Sequence, residues 1–189
     1  MSQPLLPFIS QDDWVAWLAE HHDSSTGVWI RLAKKASGVA SVTYAEAVEV
    51  ALCYGWIDGQ AKTIDDRFYM QRFSPRSARS KWSKINCGKV VDLIERGLIQ
   101  PAGLREVDRA KADGRWDAAY DPPSTAQVPP ELTEALERSP AAQDAFAALD
   151  SRNRYAILFR IADAKRPETK ARRIEKFVAM LAEGGKIYP

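Results

Sequence analysis

The fold of this chain is decided between Thr43 and Phe73, where the sequence reads TYAEAVEVALCYGWIDGQAKTIDDRFYMQRF. The first part predicts a helix, because Thr43 and Glu46 are spaced as a capping box and Gly55 supplies a left-handed stop. The apolar positions of this helix are Tyr44, Ala47, Val48, Ala51 and Leu52. After Gly55 the pattern changes to that of strands, over residues 56–64 and 67–73. Asp65 and Asp66 between them are compatible with a hairpin turn.

Upstream, a second capping box predicts another helix and is followed by a third strand. Ser10 and Asp13 have the capping spacing, so a helix is expected over about residues 11–22, with Ile9 and Trp14 as a hydrophobic staple. In residues 28–33, Val28, Ile30 and Leu32 then alternate with Trp29, Arg31 and Ala33 in the two-residue period of a half-buried strand. The sequence therefore predicts a small antiparallel sheet of about three strands.

Downstream, only helices are predicted. Asn86 is expected to cap one helix, whose apolar residues are Val90, Val91 and Ile94, and Pro101 to open another that reaches Gly114; both should cover the sheet. Residues 115–130 lose regular periodicity and contain four prolines. The predicted apolar stripes beyond them are Tyr155, Leu158, Phe159 and Ala162, then Ile174, Phe177, Val178 and Leu181. The fold class expected is α+β, with an α+β domain over residues 1–122 and a helical domain over residues 123–189.

The composition is that of a globular cytoplasmic protein. The chain has 189 residues, 46% of them hydrophobic, and a net charge of +2, which argues against bulk electrostatic binding to nucleic acid. The two cysteines, Cys53 and Cys87, suggest a reducing compartment. Neither a signal peptide nor a membrane span is expected. We also expect no metal and no cofactor, since His21 and His22 have no partners at metal-ligand spacing.

A basic segment, residues 67–91, is the strongest candidate for a working surface. It holds seven Lys and Arg side chains and no acid. Such uncompensated charge calls for an anion or for acidic residues elsewhere in the fold, and the acids of residues 106–121 are the intramolecular alternative. Arginines suit phosphate or carboxylate, and aromatic rings can stack on a ligand. The predicted ligand-binding residues are Trp56, Asp58, Arg72, Phe73, Arg76, Arg79, Lys81, Trp82 and Lys84.

Two residues, Asp58 from this set and Cys87, have a catalytic interpretation. Asp58 lies between large apolar residues in GWIDGQ, where partial desolvation would raise its pKa and make it a general acid or base; in the alternative it only accepts hydrogen bonds in a turn. Cys87 lies near cations at a helix start, which would lower its pKa, but no His or acid partner is visible in the sequence, so nucleophilic catalysis by this thiol is not favoured.

Several longer motifs resemble one bacterial family. GWIDG at residues 55–59, QRFSPR at 71–76, SKWSKIN at 80–86, GRWDAAY at 114–120, NRY at 153–155 and KARRI at 170–174 are similar to the YdeI/OmpD-associated family. The resemblance covers about residues 8–189. It implies a link to bacteriocin protection or resistance to antimicrobial peptides, and it supplies no catalytic residues.

Three functions remain open on this basis. The chain is expected to be a non-enzymatic binding protein with a basic and aromatic anion-accepting cleft, whose partner is a small anion or a phosphate-containing ligand. A single-stranded nucleic acid also suits these side chains but is the less favoured partner. The alternatives are an enzyme that uses Asp58 with arginine charge stabilisation, and a docking module that binds a protein through residues 151–183.

Overall fold

The structure is a computed structural model and describes residues 3–189. The chain forms two compact units, an N-terminal unit that ends at Ala119 and a C-terminal unit from Tyr120 to Pro189. The N-terminal unit contains strands β1 (Leu5–Pro7), β2 (Val28–Ala33), β3 (Trp56–Thr63) and β4 (Phe68–Pro75), and helices α1 (Gln11–His21), α2 (Tyr44–Cys53), α3 (Lys84–Glu95) and α4 (Pro101–Ala112). The C-terminal unit contains helices α5 (Pro130–Glu137), α6 (Pro140–Ala147), α7 (Ser151–Ala162) and α8 (Pro167–Ala182). The predicted α+β class is confirmed.

The sheet has four strands in the order β1-β2-β4-β3, so the predicted number of about three is corrected. The strand that the sequence missed is β1, which is only three residues long and ends at Pro7. It pairs in parallel with β2, whereas the other two pairings are antiparallel, and the sheet is therefore mixed. Three residues are too few to show a period, which is why pattern reasoning did not find β1.

A side-chain turn joins β3 to β4. Asp65 Oδ1 accepts the backbone N–H groups of Arg67 at 2.7 Å and Phe68 at 2.8 Å. These bonds lower the pKa of the Asp65 carboxyl. An aspartate that binds the backbone two residues on replaces the glycine that a tight two-residue hairpin would favour.

An aromatic cluster forms the core beneath the sheet. Trp14 is fully buried, stacks on Trp17 with ring centroids 5.4 Å apart, and lies 5.6 Å from Phe73. Its indole N–H donates to the Ala47 carbonyl at 3.1 Å, and that of Trp56 donates to the His22 carbonyl at 3.2 Å. Both polar atoms are satisfied inside the core, as buried indole groups usually are.

The predicted helix starts are confirmed for α1 and α2, where both capping boxes are present. For α3 the cap is Ser83, whose hydroxyl accepts the Asn86 N–H at 3.1 Å, so the cap predicted at Asn86 is wrong by three residues. The predicted staple is also wrong, because the side chain of Ile9 is 71% exposed.

Two apolar stripes differ from those predicted in the N-terminal unit. In α2 the side chain of Tyr44 is exposed, although the residues after it are buried as expected. In α3 the buried residues are Val90 and Leu93, while Val91 and Ile94 are exposed. Helical spacing alone does not decide which of two neighbouring apolar faces meets the core.

The C-terminal unit has a core of its own, contributed by all four helices. The core residues are Leu132, Leu136, Ala142, Phe146, Ile157, Leu158, Ile161, Ile174, Phe177 and Leu181. The stripe predicted for α8 is confirmed, with Val178 partly buried. The stripe predicted for α7 is correct only at Leu158, because Ile157, Leu158 and Ile161 face the core, Tyr155 and Phe159 are half-buried and Ala162 is exposed.

Candidate functional site

Three aromatic residues of the predicted site lie in the core of the N-terminal unit. Trp56, Phe73 and Trp82 are exposed by 1%, 0% and 2%. Burial of large aromatic rings contributes strongly to the stability of a fold, and rings so enclosed have no free face for stacking on a ligand. In the structure these three residues are therefore part of the hydrophobic core.

Arg76 is buried together with Trp82. Its guanidinium carbon lies 3.6 Å from the centroid of the Trp82 ring, and its Nη1 donates to the Lys81 carbonyl at 3.1 Å. The ring of Trp116 packs on Trp82 with a centroid distance of 5.1 Å. The loop between β4 and α3 is thus held from inside by a cation stacked on an indole.

Two arginines from outside the basic segment also hold this loop. Arg115 donates from Nη1 to the Ser80 carbonyl at 2.8 Å and pairs with Asp113 at 2.7 Å. Arg109 donates to the Arg76 carbonyl at 3.4 Å and pairs with Glu106. The acids of this region therefore pair with arginines that bind the loop through its backbone carbonyls.

The remaining predicted cations are nearer to solvent. Arg79, Lys81 and Lys84 have exposed side chains. Arg72 is half-buried, and its Nε donates to Gln3 Oε1 at 2.8 Å. The cations of the basic segment therefore have three environments. Arg72 is half-buried on β4, and Arg76 is buried against Trp82. Exposed positions before and at the start of α3 hold Arg79, Lys81 and Lys84.

Asp58 lies at the start of β3 and accepts a hydrogen bond from the Tyr44 hydroxyl to Oδ2 at 2.8 Å. A bulge follows it, because one extra residue separates the pairings of Asp58 and Ala61 with β4. The buried Gln71 side chain donates to the Gly59 carbonyl at 2.9 Å and satisfies the bulged backbone. The contact with Tyr44 is consistent with the structural interpretation of Asp58 as a hydrogen-bond acceptor.

Both cysteines are free thiols, and burial raises the pKa of each. For Cys53 the pKa rises to about 11, with a second contribution from the Glu49 carboxylate. For Cys87 the charge of Arg76 opposes the rise without reversing it. The lowered pKa expected for Cys87 is therefore wrong, because desolvation of the thiolate outweighs the neighbouring cation.

The two histidines, His21 and His22, lie at the C-terminal end of α1. The Nδ1 atoms of His21 and His22 lie 2.9 Å from the carbonyl oxygens of Trp17 and Leu18. The ring of His21 also stacks on Trp17 with centroids 4.7 Å apart. Within residues 3–189 no group of three or more His, Cys, Asp or Glu side chains could hold a metal ion. In the same range no helix is long and apolar enough to cross a membrane.

The C-terminal unit has a cavity of about 510 Å³ beside α7. It is lined by Pro123, Ser151, Arg152, Tyr155, Ala156, Phe159, Arg160 and Tyr188. The volume is within the range of small-molecule sites, which are about 300–1,000 Å³ and mostly apolar with a few placed polar groups. Among these lining residues two are arginines and none is an acid. We call this cavity the arginine–tyrosine cleft.

Its two arginines converge on one ring. The guanidinium carbon of Arg152 lies 4.1 Å from the centroid of Tyr188, and that of Arg160 lies 5.8 Å from it. Tyr155 donates from its hydroxyl to the Asp121 carbonyl at 2.8 Å, and burial raises its pKa. Cationic and aromatic groups therefore line the cavity together.

A buried amide holds Tyr188 in this position. Asn153 is 1% exposed, and its Oδ1 accepts the N–H groups of Ile187 at 3.1 Å and Tyr188 at 2.9 Å. Its Nδ2 donates to the Tyr188 carbonyl at 3.3 Å and to Asp150 Oδ2 at 3.0 Å. The C-terminal segment is thereby tied to the first turn of α7.

Sequence reasoning missed this cleft because it assigned Tyr155 and Phe159 to the apolar core stripe. The signal that was present is the spacing of the lining residues of α7, which are Arg152, Tyr155, Ala156, Phe159 and Arg160. These positions form one face of a helix, and it is a different face from that of Ile157, Leu158 and Ile161. Two arginines on a face that also carries aromatic rings indicate that this face has a role other than packing in the core.

Comparison with known families matched both units separately. Residues 6–106 match a family described as a domain of unknown function (DUF8412), and residues 125–184 match one described as bacteriocin-protection, YdeI or OmpD-associated. No curated protein and no solved structure matches the chain. The predicted resemblance is confirmed at residues 125–184, while the motifs between residues 55 and 86 fall within the other match. The chain therefore belongs to the DUF8412 family and carries, in its C-terminal unit, a domain of the bacteriocin-protection, YdeI or OmpD-associated family.

Proposed function

We propose that this protein is a non-catalytic binding protein whose arginine–tyrosine cleft accepts an anionic small molecule. The observation that carries the proposal is the convergence of Arg152 and Arg160 on the ring of Tyr188 at the wall of a cavity of about 510 Å³. A cavity lined by cations and aromatic rings, with no acid among its lining residues, favours a negatively charged guest.

The chemistry of the lining defines the guest further. Guanidinium groups match phosphate and carboxylate groups through paired N–H donors. The apolar surface of Phe159, Ala156 and Pro123 suits a flat or hydrocarbon part of the same molecule. A phosphate or carboxylate attached to a ring therefore fits the cleft better than a bare inorganic anion does.

The arginines are also positioned before the ligand arrives. Arg152 is held over Tyr188, and the Nη1 of Arg160 lies 3.5 Å from the Ala156 carbonyl. Arg173 binds the Arg160 carbonyl and pairs with Asp163 at 3.7 Å. Side chains that are already ordered lose less conformational entropy on binding.

An anion surface on the basic segment is the second candidate. The observation in its favour is the exposure of Arg79, Lys81 and Lys84 around the start of α3. In this version Arg76 and Trp82 support the loop from below, and the exposed cations meet the ligand. The two sites are in different units and are separable by mutation.

We place this binding function in the cytoplasm, because two free thiols suit a reducing compartment. The family description links the C-terminal unit to bacteriocin protection. We propose that the bound anion is the means by which the protein contributes to resistance against antimicrobial peptides.

The test is calorimetric titration of the full chain with phenyl phosphate and with inorganic phosphate at low salt. Phenyl phosphate should bind more tightly than inorganic phosphate, and Arg152→Ala with Arg160→Ala should weaken it at least about 10-fold, since hydrogen bonds to charged groups are each worth about 1.5–3 kcal/mol. Arg172→Ala with Lys176→Ala removes the same charge from the exposed face of α8 and should leave the affinity unchanged.

A third variant separates the two candidate sites. If Arg79→Ala with Lys84→Ala abolishes binding and the cleft variant does not, the ligand lies on the basic segment and the cleft proposal fails. Unchanged affinity in both variants, with circular dichroism showing native folds, rejects an anion site at either place. Turnover of phenyl phosphate that disappears in Asp58→Asn would instead establish the enzyme alternative.

A further inference from the structure

The sheet of the N-terminal unit has one face on the core and one face toward solvent. In β2 the side chains of Val28, Ile30 and Leu32 are buried, so the alternate residues point to the opposite side. In β4 Gln71 and Phe73 are buried, with the same consequence. The residues on the solvent side, which we call the open face, include Leu5, Pro7, Trp29, Arg31, Lys62, Phe68, Met70 and Arg72.

Register places the cations of the open face beside its apolar groups. Arg31 of β2 pairs with Met70 of β4, which pairs in turn with Lys62 of β3. One row along, Leu5 pairs with Trp29, which pairs with Arg72. Directly paired residues on one face lie within contact distance of each other. The open face therefore consists of adjacent rows that mix cations with apolar side chains.

Aromatic rings and cations are in direct contact there. The Nζ of Lys62 lies 5.0 Å from the centroid of Trp29, and the guanidinium carbon of Arg31 lies 4.7 Å from that of Phe68. Arg67 approaches the same phenyl ring at 5.7 Å. Both rings are half-buried, so part of each remains accessible.

No acid balances these cations on the open face within the four described strands. Asp58 is the one acidic residue in a strand, and it pairs with buried Phe73 on the core side. Like charges on neighbouring strands repel each other. A surface that keeps Arg31, Lys62 and Arg72 together, with no acid on the same face of the described strands, is complementary to a chain of negative charges.

We propose that the open face binds single-stranded nucleic acid, with bases stacked on Trp29 and Phe68 and phosphates contacted by Arg31, Lys62 and Arg72. Base stacking on aromatic side chains along a positively charged surface is the usual mode of sequence-tolerant single-strand binding. Four-stranded sheets offer a platform on which two or three bases can lie side by side. This function is separate from the arginine–tyrosine cleft and does not depend on it.

A single strand fits better than the other large anions. Duplex bases are stacked on each other and present no face to Trp29 or Phe68, so a duplex would use only the cations. An anionic membrane would also meet the cations, but it has no flat rings to match the aromatic positions. Because the net charge of the whole chain is only +2, binding should be weak and strongly dependent on salt.

The test measures fluorescence anisotropy of a labelled oligothymidine of about 12 nucleotides with the full chain at low salt. Trp29→Leu, which keeps an apolar side chain, should weaken binding by about 5- to 160-fold through the loss of one stacked base. Arg31→Ala with Lys62→Ala should weaken binding and reduce the slope of log affinity against log salt by about 1.4, or about 0.7 for each lost phosphate contact. Arg172→Ala with Lys176→Ala is the charge-matched control and should change the affinity by less than about twofold.

Four results would overturn the proposal. One is equal affinity for the single strand and for a duplex of the same length. Another is an equal loss in the charge-matched control, which would show attraction by net charge alone. A third is binding to vesicles of equal parts phosphatidylglycerol and phosphatidylcholine with none to oligothymidine. The last is loss of oligothymidine binding in Arg152→Ala with Arg160→Ala, which would move the nucleic acid to the cleft.

Discussion

The guanidinium group of Arg76 stacks on the indole ring of Trp82 at 3.6 Å, and both side chains are at least 95% buried. Burial removes the hydration of the guanidinium group, which costs free energy, and the cation–π contact with the indole ring offsets part of that cost. Within the basic segment, this arginine therefore has a structural environment unlike that of the exposed Arg79. The contrast between the two neighbours gives the first prediction.

Arg76→Ala should lower the free energy of unfolding by about 2 kcal/mol or more, since a desolvated cation–π contact is worth about that much. Trp82→Ala should lower it by about 3–5 kcal/mol. Arg79→Ala, an exposed control three residues away, should stay within about 0.5 kcal/mol of the wild type. Urea unfolding followed by tryptophan fluorescence measures all three. If Arg76→Ala melts like the wild type yet loses phenyl phosphate binding, its role is in the site and not in the fold.

Two helical glycines should respond in opposite directions to alanine. A Cβ atom on Gly103 of α4 would overlap the Cys53 carbonyl oxygen and lie 2.9 Å from its carbonyl carbon. Gly88 of α3 has no atom within 4 Å of such a Cβ. Gly103→Ala should therefore destabilise the protein by about 1–3 kcal/mol through overpacking. Gly88→Ala should stabilise it by about 0.5–1 kcal/mol through helix propensity. Thermal unfolding measures the stability of both variants. If Gly88→Ala destabilises the protein as much as Gly103→Ala does, the close packing of α4 on the end of α2 is contradicted.

Asn153→Ala should destabilise the C-terminal unit by about 2–3 kcal/mol, because it removes four hydrogen bonds and leaves partly buried backbone groups of Ile187 and Tyr188 without these partners. Amide exchange at Ile187 and Tyr188 should become faster in the same variant. Ser151→Ala, an exposed change in the same turn of α7, is the control. All six tryptophans lie between residues 14 and 116, so circular dichroism and amide exchange are the suitable measurements. Unchanged exchange at both amides would show that Asn153 does not hold the C-terminal segment.

Cys53 should make the fold less stable at alkaline pH. Burial raises its pKa from 9.0 to about 11, so the folded state keeps the thiol proton over a range in which the unfolded state loses it. Stability that is present below pH 9.0 is therefore lost as the pH rises toward about 11. At about pH 10 the loss should be on the order of 1 kcal/mol, the equivalent of roughly one pKa unit. Urea unfolding of the wild type and Cys53→Ala at about pH 7.5 and about pH 10 measures the difference. Parallel losses in both proteins would assign the alkaline effect to other groups.

Local interactions account for what could be predicted of the fold. The capping boxes at Ser10 and Thr43 each need only residues within one turn, and both are present. The strand β1 was missed because its partner is β2, more than twenty residues away, and its own three residues have no measurable pattern. Pairing that depends on another part of the chain is not visible in a short window of sequence.

The candidate sites show the same division. The sequence pointed to the arginines and aromatic rings of the basic segment as a candidate site, but it could not show that Trp82 faces inward. It placed Phe159 with the core stripe, whereas the helix uses a second face for the arginine–tyrosine cleft. Composition identifies which side chains are present, and packing decides which of them reach solvent.

The order of residues by itself determined the α+β class, most helix starts and the family resemblance, because each depends on neighbours within a turn or on a short motif. Tertiary structure alone decided that Arg76 is buried, that Arg152 and Arg160 meet at Tyr188, and that cations and rings share the open face. Those arrangements depend on which of several possible surfaces each helix and strand buries. That choice is made by the free energy of packing distant parts of the chain together, which no local pattern contains.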